Sequence, residues 1–173
     1  MGEYAAAKEL LLRSYQDLIR IGVRVPFELL RNMELVHSYG IVRRMVKLDK
    51  HYGAARLLMR LAGDLSKFPR HAEQILASGV VECSRAGLKK SSHGLAVRLV
   101  GDEEMRGKVQ PKLMRKIEGI VRRPKTDEIE TETSPCPVCD TVIPSWQLDC
   151  PSCKTHLPMD ICTGRHMTLE NWT

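Results

Sequence analysis

The phrase CPVCDTVIP, from Cys136 to Pro144, recurs as CPSCKTHLP, from Cys150 to Pro158, with five of nine positions identical and Ile143 matched by Leu157. No other feature of the chain restricts its local structure as tightly. Two residues between cysteines let one tight turn present both sulfurs to a single ion, and a thiolate-bound Zn²⁺ takes four tetrahedral ligands at about 2.3 Å. Cys136, Cys139, Cys150 and Cys153 are therefore the predicted ligands of one structural Zn²⁺, gripped by two turns related by a local pseudo-twofold axis. Zinc contributes roughly 10–16 kcal/mol to a small finger. A unit this short has no core of its own, so the metal would be its fold. The competing readings are two redox CxxC motifs or a pair of disulfides. A thioredoxin-type redox site needs a βαβ context, which this sequence lacks.

The redox compartment supports metal over disulfides. The opening MGEYAAAKELLLRSY lacks the basic start, apolar centre and cleavage site of a signal peptide. Ala6 also stands where a myristoylation signal wants Ser or Thr. No uncharged apolar run approaches the length of a membrane span. The chain is thus expected to be intracellular, where thiols stay reduced.

Upstream of the cysteines the pattern is helical. Tyr4, Ala7, Leu11, Tyr15 and Leu18 recur every three or four residues and define one apolar face. Gly22 is a stop and Pro26 a first-turn start. The next segment carries Leu29, Leu30, Met33, Val36, Ile41, Met45 and Leu48, with a bend expected near Gly40. A third runs from about Gly53 to Leu65, with Leu57, Leu58 and Leu61 inward. Pro69 opens a fourth, with the stripe Ile75, Val80, Cys83 and Leu88, where Cys83 is most simply a small buried hydrophobe. Ser91 or Ser92 caps a fifth that ends at Gly101. Asp102, Glu103 and Glu104 form an acidic helix start. Pro111 restarts the last stretch, which uses Leu113, Ile117, Ile120 and Val121. Aromatic residues make up only 5% of the chain, so the core is expected to be built from Leu, Ile, Val, Met and Ala.

The body is therefore predicted to be all-α. Gly53 and Gly87 lie 34 residues apart, which is the tetratricopeptide period, although most of that repeat's signature positions are missing. A degenerate TPR-like helical solenoid is preferred over a compact bundle. The predicted organisation is helical repeats over 1–122, an acidic linker over 123–135 and a zinc-binding module over 136–173. The linker's prolines, acids and threonines cannot bury much surface.

Charge follows this division. Residues 1–123 hold 24 Lys and Arg against 13 Asp and Glu, whereas residues 124–173 hold 3 against 8. A basic body can attract nucleic acid, anionic lipid or an acidic protein, or simply solvate helix faces. No RNP, homeodomain or C2H2 pattern accompanies it, and the acidic tail has the wrong sign for a phosphate-binding finger. Nucleic acid is not the expected partner, and no motif announces a small-molecule substrate.

Further candidates surround the cysteine phrases. Cys162 and His166, in ICTGRHM, offer half of a possible second zinc site. Six ligand candidates fall short of the eight that a RING needs. His156 replaces Val142 in the repeat and reads as packing or exposure. Trp146, between the two phrases, is a candidate interaction anchor, because exposed aromatics often dominate interfaces. One catalytic signature occurs. His71 and Glu73, followed by Pro135, Cys136 and Cys139, fit the H-x-E…P-C-x-x-C pattern of zinc deaminases. The long gap, the two prolines Pro137 and Pro144, and the idle pair Cys150 and Cys153 count against it. The chain reads as a non-enzyme.

PCPVC, CPSC, LPMDICTGRHM and the closing NWT, with RKIEGIVRRP and SKFPRH upstream, resemble the C-terminal region of the large WD40-plus-TPR subunits of intraflagellar transport complex A. The resemblance covers most of the chain and is strongest from Arg115 to Thr173. It implies a piece from the end of a longer, non-enzymatic scaffold. It further implies partners among the other subunits of that complex and a location in the cytoplasm, ciliary base and cilium. The implied work is retrograde ciliary transport and cargo entry, with membranes met only through cargo or adaptors.

Overall fold

The computed structural model describes residues 2–123, 133–144, 147 and 149–155. Among these, seven α-helices precede a two-stranded ribbon: α1 Gly2–Arg20, α2 Phe27–Lys47, α3 His51–Gly63, α4 Ala72–Arg85, α5 Lys89–Gly101, α6 Glu103–Lys108 and α7 Pro111–Arg122, then β1 Thr133–Pro135 and β2 Val142–Pro144. The chain is all-α up to the cysteine ribbon, as the apolar periodicity requires. No described helix is long and apolar enough to cross a membrane.

Helices α2, α3 and α4 each pack chiefly on the helix before and the helix after in the chain, whereas α5 packs chiefly on α4 and then on α7. The axis of this array is α3, whose residues Ala54 to Ala62 are all buried. One side of α3 sends Leu58 and Leu61 towards Leu35, Phe68 and Ile75, with Tyr4, Tyr39 and Val42 closing the cluster. Its other side sends Ala55, Met59 and Ala62 into a larger cluster with α4, α5 and α7, which includes Val80, Cys83, Leu88, Leu99 and Ile117. A helix sandwiched on both sides must be apolar nearly all round. Arg56 and Arg60 are the exceptions, at 4% and 5% exposure. Arg60 donates to Ser38 Oγ at 3.0 Å. Burial pushes its guanidinium down to about 10, against the opposing pull of Glu34 and with the push of Arg56.

Several boundaries follow from local chemistry. Gly22, at φ 71°, ends the turn after α1. Pro26 caps α2 with extended backbone instead of opening its first turn, and α2 then continues without interruption through Gly40. Asp102 caps α6, its Oδ1 accepting from the Met105 amide at 3.0 Å, and Pro111 sits in the first turn of α7, where its missing N–H costs nothing.

Two further expectations are corrected. Neither Ser91 nor Ser92 caps α5, which starts earlier, after Leu88. Gly87 turns the chain at φ 81°, a left-handed conformation that glycine adopts without penalty. This frees Ser92 to donate to the Val80 carbonyl at 2.8 Å, tying α5 to α4. The two glycines of the 34-residue spacing are also not equivalent. Gly53 lies inside α3, where an added Cβ would sit 2.9 Å from Met45 Sδ, whereas Gly87 belongs to a turn.

Candidate metal centre

The ribbon is small because proline bounds it. Ser134 pairs with Ile143, flanked by Thr133 with Pro144 and Pro135 with Val142. Proline has no N–H to extend a ladder. After β1 the chain enters the first cysteine turn. The Cys136 amide donates to the Thr141 carbonyl at 2.9 Å, and the Asp140 amide donates back to the Cys136 carbonyl at 2.9 Å. The second phrase repeats this pattern: the Cys150 amide donates to Thr155 at 2.9 Å and the Lys154 amide to Cys150 at 3.0 Å. Equivalent residues, Asp140 at φ 56° and Lys154 at φ 59°, take the left-handed conformation that closes each turn. The sequence repeat is thus a repeat of backbone geometry.

The two turns face each other. All four Sγ atoms, of Cys136, Cys139, Cys150 and Cys153, lie within 4.8 Å of one another. Across the turns, Cys136 Sγ is 3.6 Å from Cys153 Sγ, and Cys139 Sγ is 3.5 Å from Cys150 Sγ. A tetrahedron of sulfurs about 2.3 Å from one centre has edges of about 3.8 Å. The cluster fits a single tetrahedral ion. It does not fit disulfides, whose sulfurs stand about 2.05 Å apart, and all four thiols are free. Cys136 and Cys150 are fully buried with Ile143 over them, and Cys139 and Cys153 are half-buried at the rim.

The local donors prepare the sulfurs for negative charge. Thr141, through hydroxyl and amide, holds Cys139 down to about 6. Thr155 lowers Cys153 in the same way. The hydroxyls lie 3.2 Å from their sulfurs in both turns, which gives the repeated threonine a physical role. At Cys136 the Val138 amide pulls downward, but burial and the neighbouring thiols prevail and push it up to about 11. Crowded thiolates repel one another. A cation among them removes that conflict, and its uptake releases protons.

Arg31 of α2 is the functional residue that sequence reasoning missed. Its Nη2 contacts Asp64 Oδ1, just beyond α3, at 2.8 Å, and its Nη1 contacts Asp149 Oδ2 at 2.9 Å. Asp149 immediately precedes Cys150. One guanidinium therefore ties the second cysteine turn to the helical body. Burial opposes its charge, but Asp64 and Asp149 outweigh that and hold it more firmly protonated. No local pattern advertises an ion pair between residues so far apart in sequence. Arg31→Ala is expected to keep the metal content unchanged while raising amide hydrogen exchange in residues 149–155. The cost in global stability should be about 1 kcal/mol, because the pair is partly solvated.

His71 is not part of the cluster. It is hydrogen-bonded through Nδ1 to the Tyr39 hydroxyl and packs against the rings of Tyr4 and Tyr39. The cysteines gather with each other, so the deaminase arrangement of His71 with Cys136 and Cys139 is not formed. Cys83 is fully buried in the helical core. Trp146, His156, Cys162 and His166 lie outside the described residues, as does most of the linker.

No family model matches the chain. It is 44% identical over 172 residues to WD repeat-containing protein 19 of Homo sapiens and 43% identical over 172 residues to the Mus musculus protein of the same name. It is 37% identical over 173 residues to WD repeat-containing protein dyf-2 of Caenorhabditis elegans. Each alignment takes in 99% of this chain and only 12% or 13% of the relative, so the chain spans about an eighth of the length of these proteins.

Proposed function

We propose that this chain is a non-enzymatic scaffold segment of a ciliary transport complex, of the intraflagellar transport protein 144 type. Its principal support is a likeness of 37–44% identity that runs the whole length of the chain, together with the resemblance of its motifs to complex A subunits. In this reading TPR-like helix pairs offer their surfaces to other subunits of the complex. The work is retrograde transport and cargo entry, in the cytoplasm, ciliary base and cilium. Membranes are met only through cargo or adaptors.

The metal is proposed to be Zn²⁺, held by Cys136, Cys139, Cys150 and Cys153. Four thiolates in a tetrahedron suit zinc, or iron in a redox protein. A site whose four positions are all filled by protein leaves none open for substrate, which is the arrangement of structural zinc. The ion would supply folding energy to the ribbon, and Arg31 would transmit the ribbon's position to α2 and α3.

The test uses the full-length protein, tagged and recovered from ciliated cells. Other transport-complex subunits are expected to co-purify with the wild type and to diminish with Cys150→Ser. Recovery of none of them by the wild type would overturn the scaffold reading. Trp146→Ala with intact zinc should weaken recovery if that ring is an anchor, and unchanged recovery would remove it. Elemental analysis separates the remaining ligands: one zinc per chain leaves Cys162 and His166 without metal, and a second equivalent lost with Cys162→Ser assigns it to them.

A further inference from the structure

Helix α7 carries an unbroken cationic face. It packs chiefly on α5, through Met114 and Ile117 with Leu113, Ile120 and Val121 beside them. Positions 112, 115, 116, 119 and 122 share the opposite face by their helical spacing, and all five are exposed. They are Lys112, Arg115, Lys116, Gly119 and Arg122, and Arg123, also exposed, follows directly. A Cβ built on Gly119 meets nothing within 4 Å, so the face is open at its centre. The single carboxylate of α7, Glu118, turns aside to Arg106 at 2.8 Å and meets Arg122 only at 4.0 Å. Among the described residues, no ion pair or hydrogen bond holds the side chains of Lys112, Arg115, Lys116 or Arg123.

This arrangement does not help α7 to fold. Lys112 faces Arg115 and Lys116 as like charges at i,i+3 and i,i+4, and such pairs oppose the helix. Lys112 also stands in the first turn, the end of the helix dipole that disfavours a cation. An anionic occupant relieves both conflicts. We infer that this face docks an acidic segment of a partner protein. The inference rests on the scaffold reading and adds to it a surface and a partner chemistry. The five helix positions hold no apolar side chain to enter a lipid layer and no aromatic ring to stack a base. From Lys112 to Arg122 the face runs about 15 Å, one helix wide. Glu118 and the exposed Glu103 of α6 border it, lining the same hollow as Arg115. A broad anionic membrane would meet these carboxylates too, whereas a narrow segment laid along the cations avoids them. Arg115 and Arg122 can each grip a carboxylate with two parallel N–H donors, which fixes the segment's register.

Zero-length carbodiimide coupling, which joins a lysine amine to a carboxylate it touches, tests this on the full-length protein recovered from ciliated cells. Lys112 or Lys116 is expected to become joined to an Asp or Glu of a co-purifying subunit. Recovery of that subunit should fall at least about fivefold in Lys112→Glu with Lys116→Glu, the loss expected of reversed charge at a complementary surface. Lys112→Gln with Lys116→Gln, which removes the charge without reversing it, should give a smaller loss in the same direction. Arg24→Glu with Lys50→Glu changes the net charge equally at exposed positions between helices and should leave recovery unchanged. A carboxylate in the first turn suits the helix dipole, so far-ultraviolet circular dichroism should match the wild type in the reversed variant.

Cross-links confined to carboxylates of the same chain, or an equal loss in Arg24→Glu with Lys50→Glu, would each overturn the inference. Flotation with phosphatidylserine vesicles that is lost in Lys112→Glu with Lys116→Glu would assign the face to a membrane instead. Subunit recovery lost on ribonuclease treatment would assign it to RNA. The same capture keeps the two readings separable. If transport-complex subunits co-purify equally with the wild type and Lys112→Glu with Lys116→Glu, the inference about α7 fails and the scaffold stands. If the wild type captures none of them, yet Lys112 or Lys116 is joined to an acidic residue of another protein whose recovery the reversal abolishes, the opposite holds.

Discussion

Replacing Cys150 by serine is expected to strip the chain of its metal and unfold the ribbon while the helices remain. Among the described residues, the ribbon's buried apolar content beyond its cysteines is Ile143, and burying one such side chain yields about 1.5–3 kcal/mol. A structural zinc yields roughly 10–16 kcal/mol at neutral pH, so an ion held as proposed would decide whether these residues are ordered. Even residues that only support a ligand typically cost about 10–100-fold in metal affinity when mutated. Loss of a ligand should exceed that range. Elemental analysis should fall from one zinc per chain to a small fraction, and amide protection in residues 133–144 should disappear. Helical circular dichroism should change little, because no core residue of α2 to α7 contacts the cluster. Cys83→Ala is the control: it disturbs a fully buried position in the helices and should leave zinc in place. Uptake requires thiolates, so zinc should be lost on acidification as Cys139 and Cys153, the sulfurs held below the usual thiol range, become protonated. A full equivalent of zinc retained by Cys150→Ser would remove the second turn from the site and with it the four-ligand assignment.

What the sequence disclosed depended on whether the responsible interaction was local. The cysteine turns were legible because each closes within six residues, and the repeat marked not only the four clustered cysteines but also Thr141 and Thr155. The helices were legible from their apolar stripes, so that Leu57, Leu58, Leu61, Ile75, Val80 and Ile117 are all buried. Pro111 and Asp102 act at helix starts by chemistry that needs no tertiary partner. Reasoning failed where a distant partner settles the outcome. Ser92 looks like a cap until the Val80 carbonyl is found beside it. Arg56 and Arg60 look like exposed charges on an amphipathic helix, yet α3 is covered on both sides. Arg31 gave no sign of reaching Asp149. The aromatic residues misled through their scarcity. Few as they are, Tyr4, Tyr39, Phe68 and His71 meet at one point, drawn from a helix, a second helix and a turn with no common period.

Phe68 shows how much that meeting point contributes. It is 1% exposed, although it lies in the turn between Lys67 and α4, outside every apolar stripe. Its ring stacks on Tyr39 at 5.4 Å and tilts against Tyr4 at 5.5 Å. It therefore joins α1 and α2 to the cluster formed by Leu58, Leu61 and Ile75. Phe68→Ala is expected to cost about 3–5 kcal/mol, the lost transfer energy plus the cavity left beside the rings of Tyr4 and Tyr39. In a chain of this size each kcal/mol shifts Tm by roughly 2–4 °C, so the midpoint should fall by roughly 6–20 °C. Phe68→Leu keeps most of the volume and should cost under about 1.5 kcal/mol. Hydrogen exchange should locate the damage in α1 first, because α1 reaches this cluster through Tyr4 and has few other buried contacts. Zinc content should stay at the wild-type level below the transition, since Phe68 is absent from the cysteine cluster. If Phe68→Ala instead melts within about 2 °C of the wild type, the ring is not a joint between α1, α2 and the core. The seating of α1 would then need another source of stability.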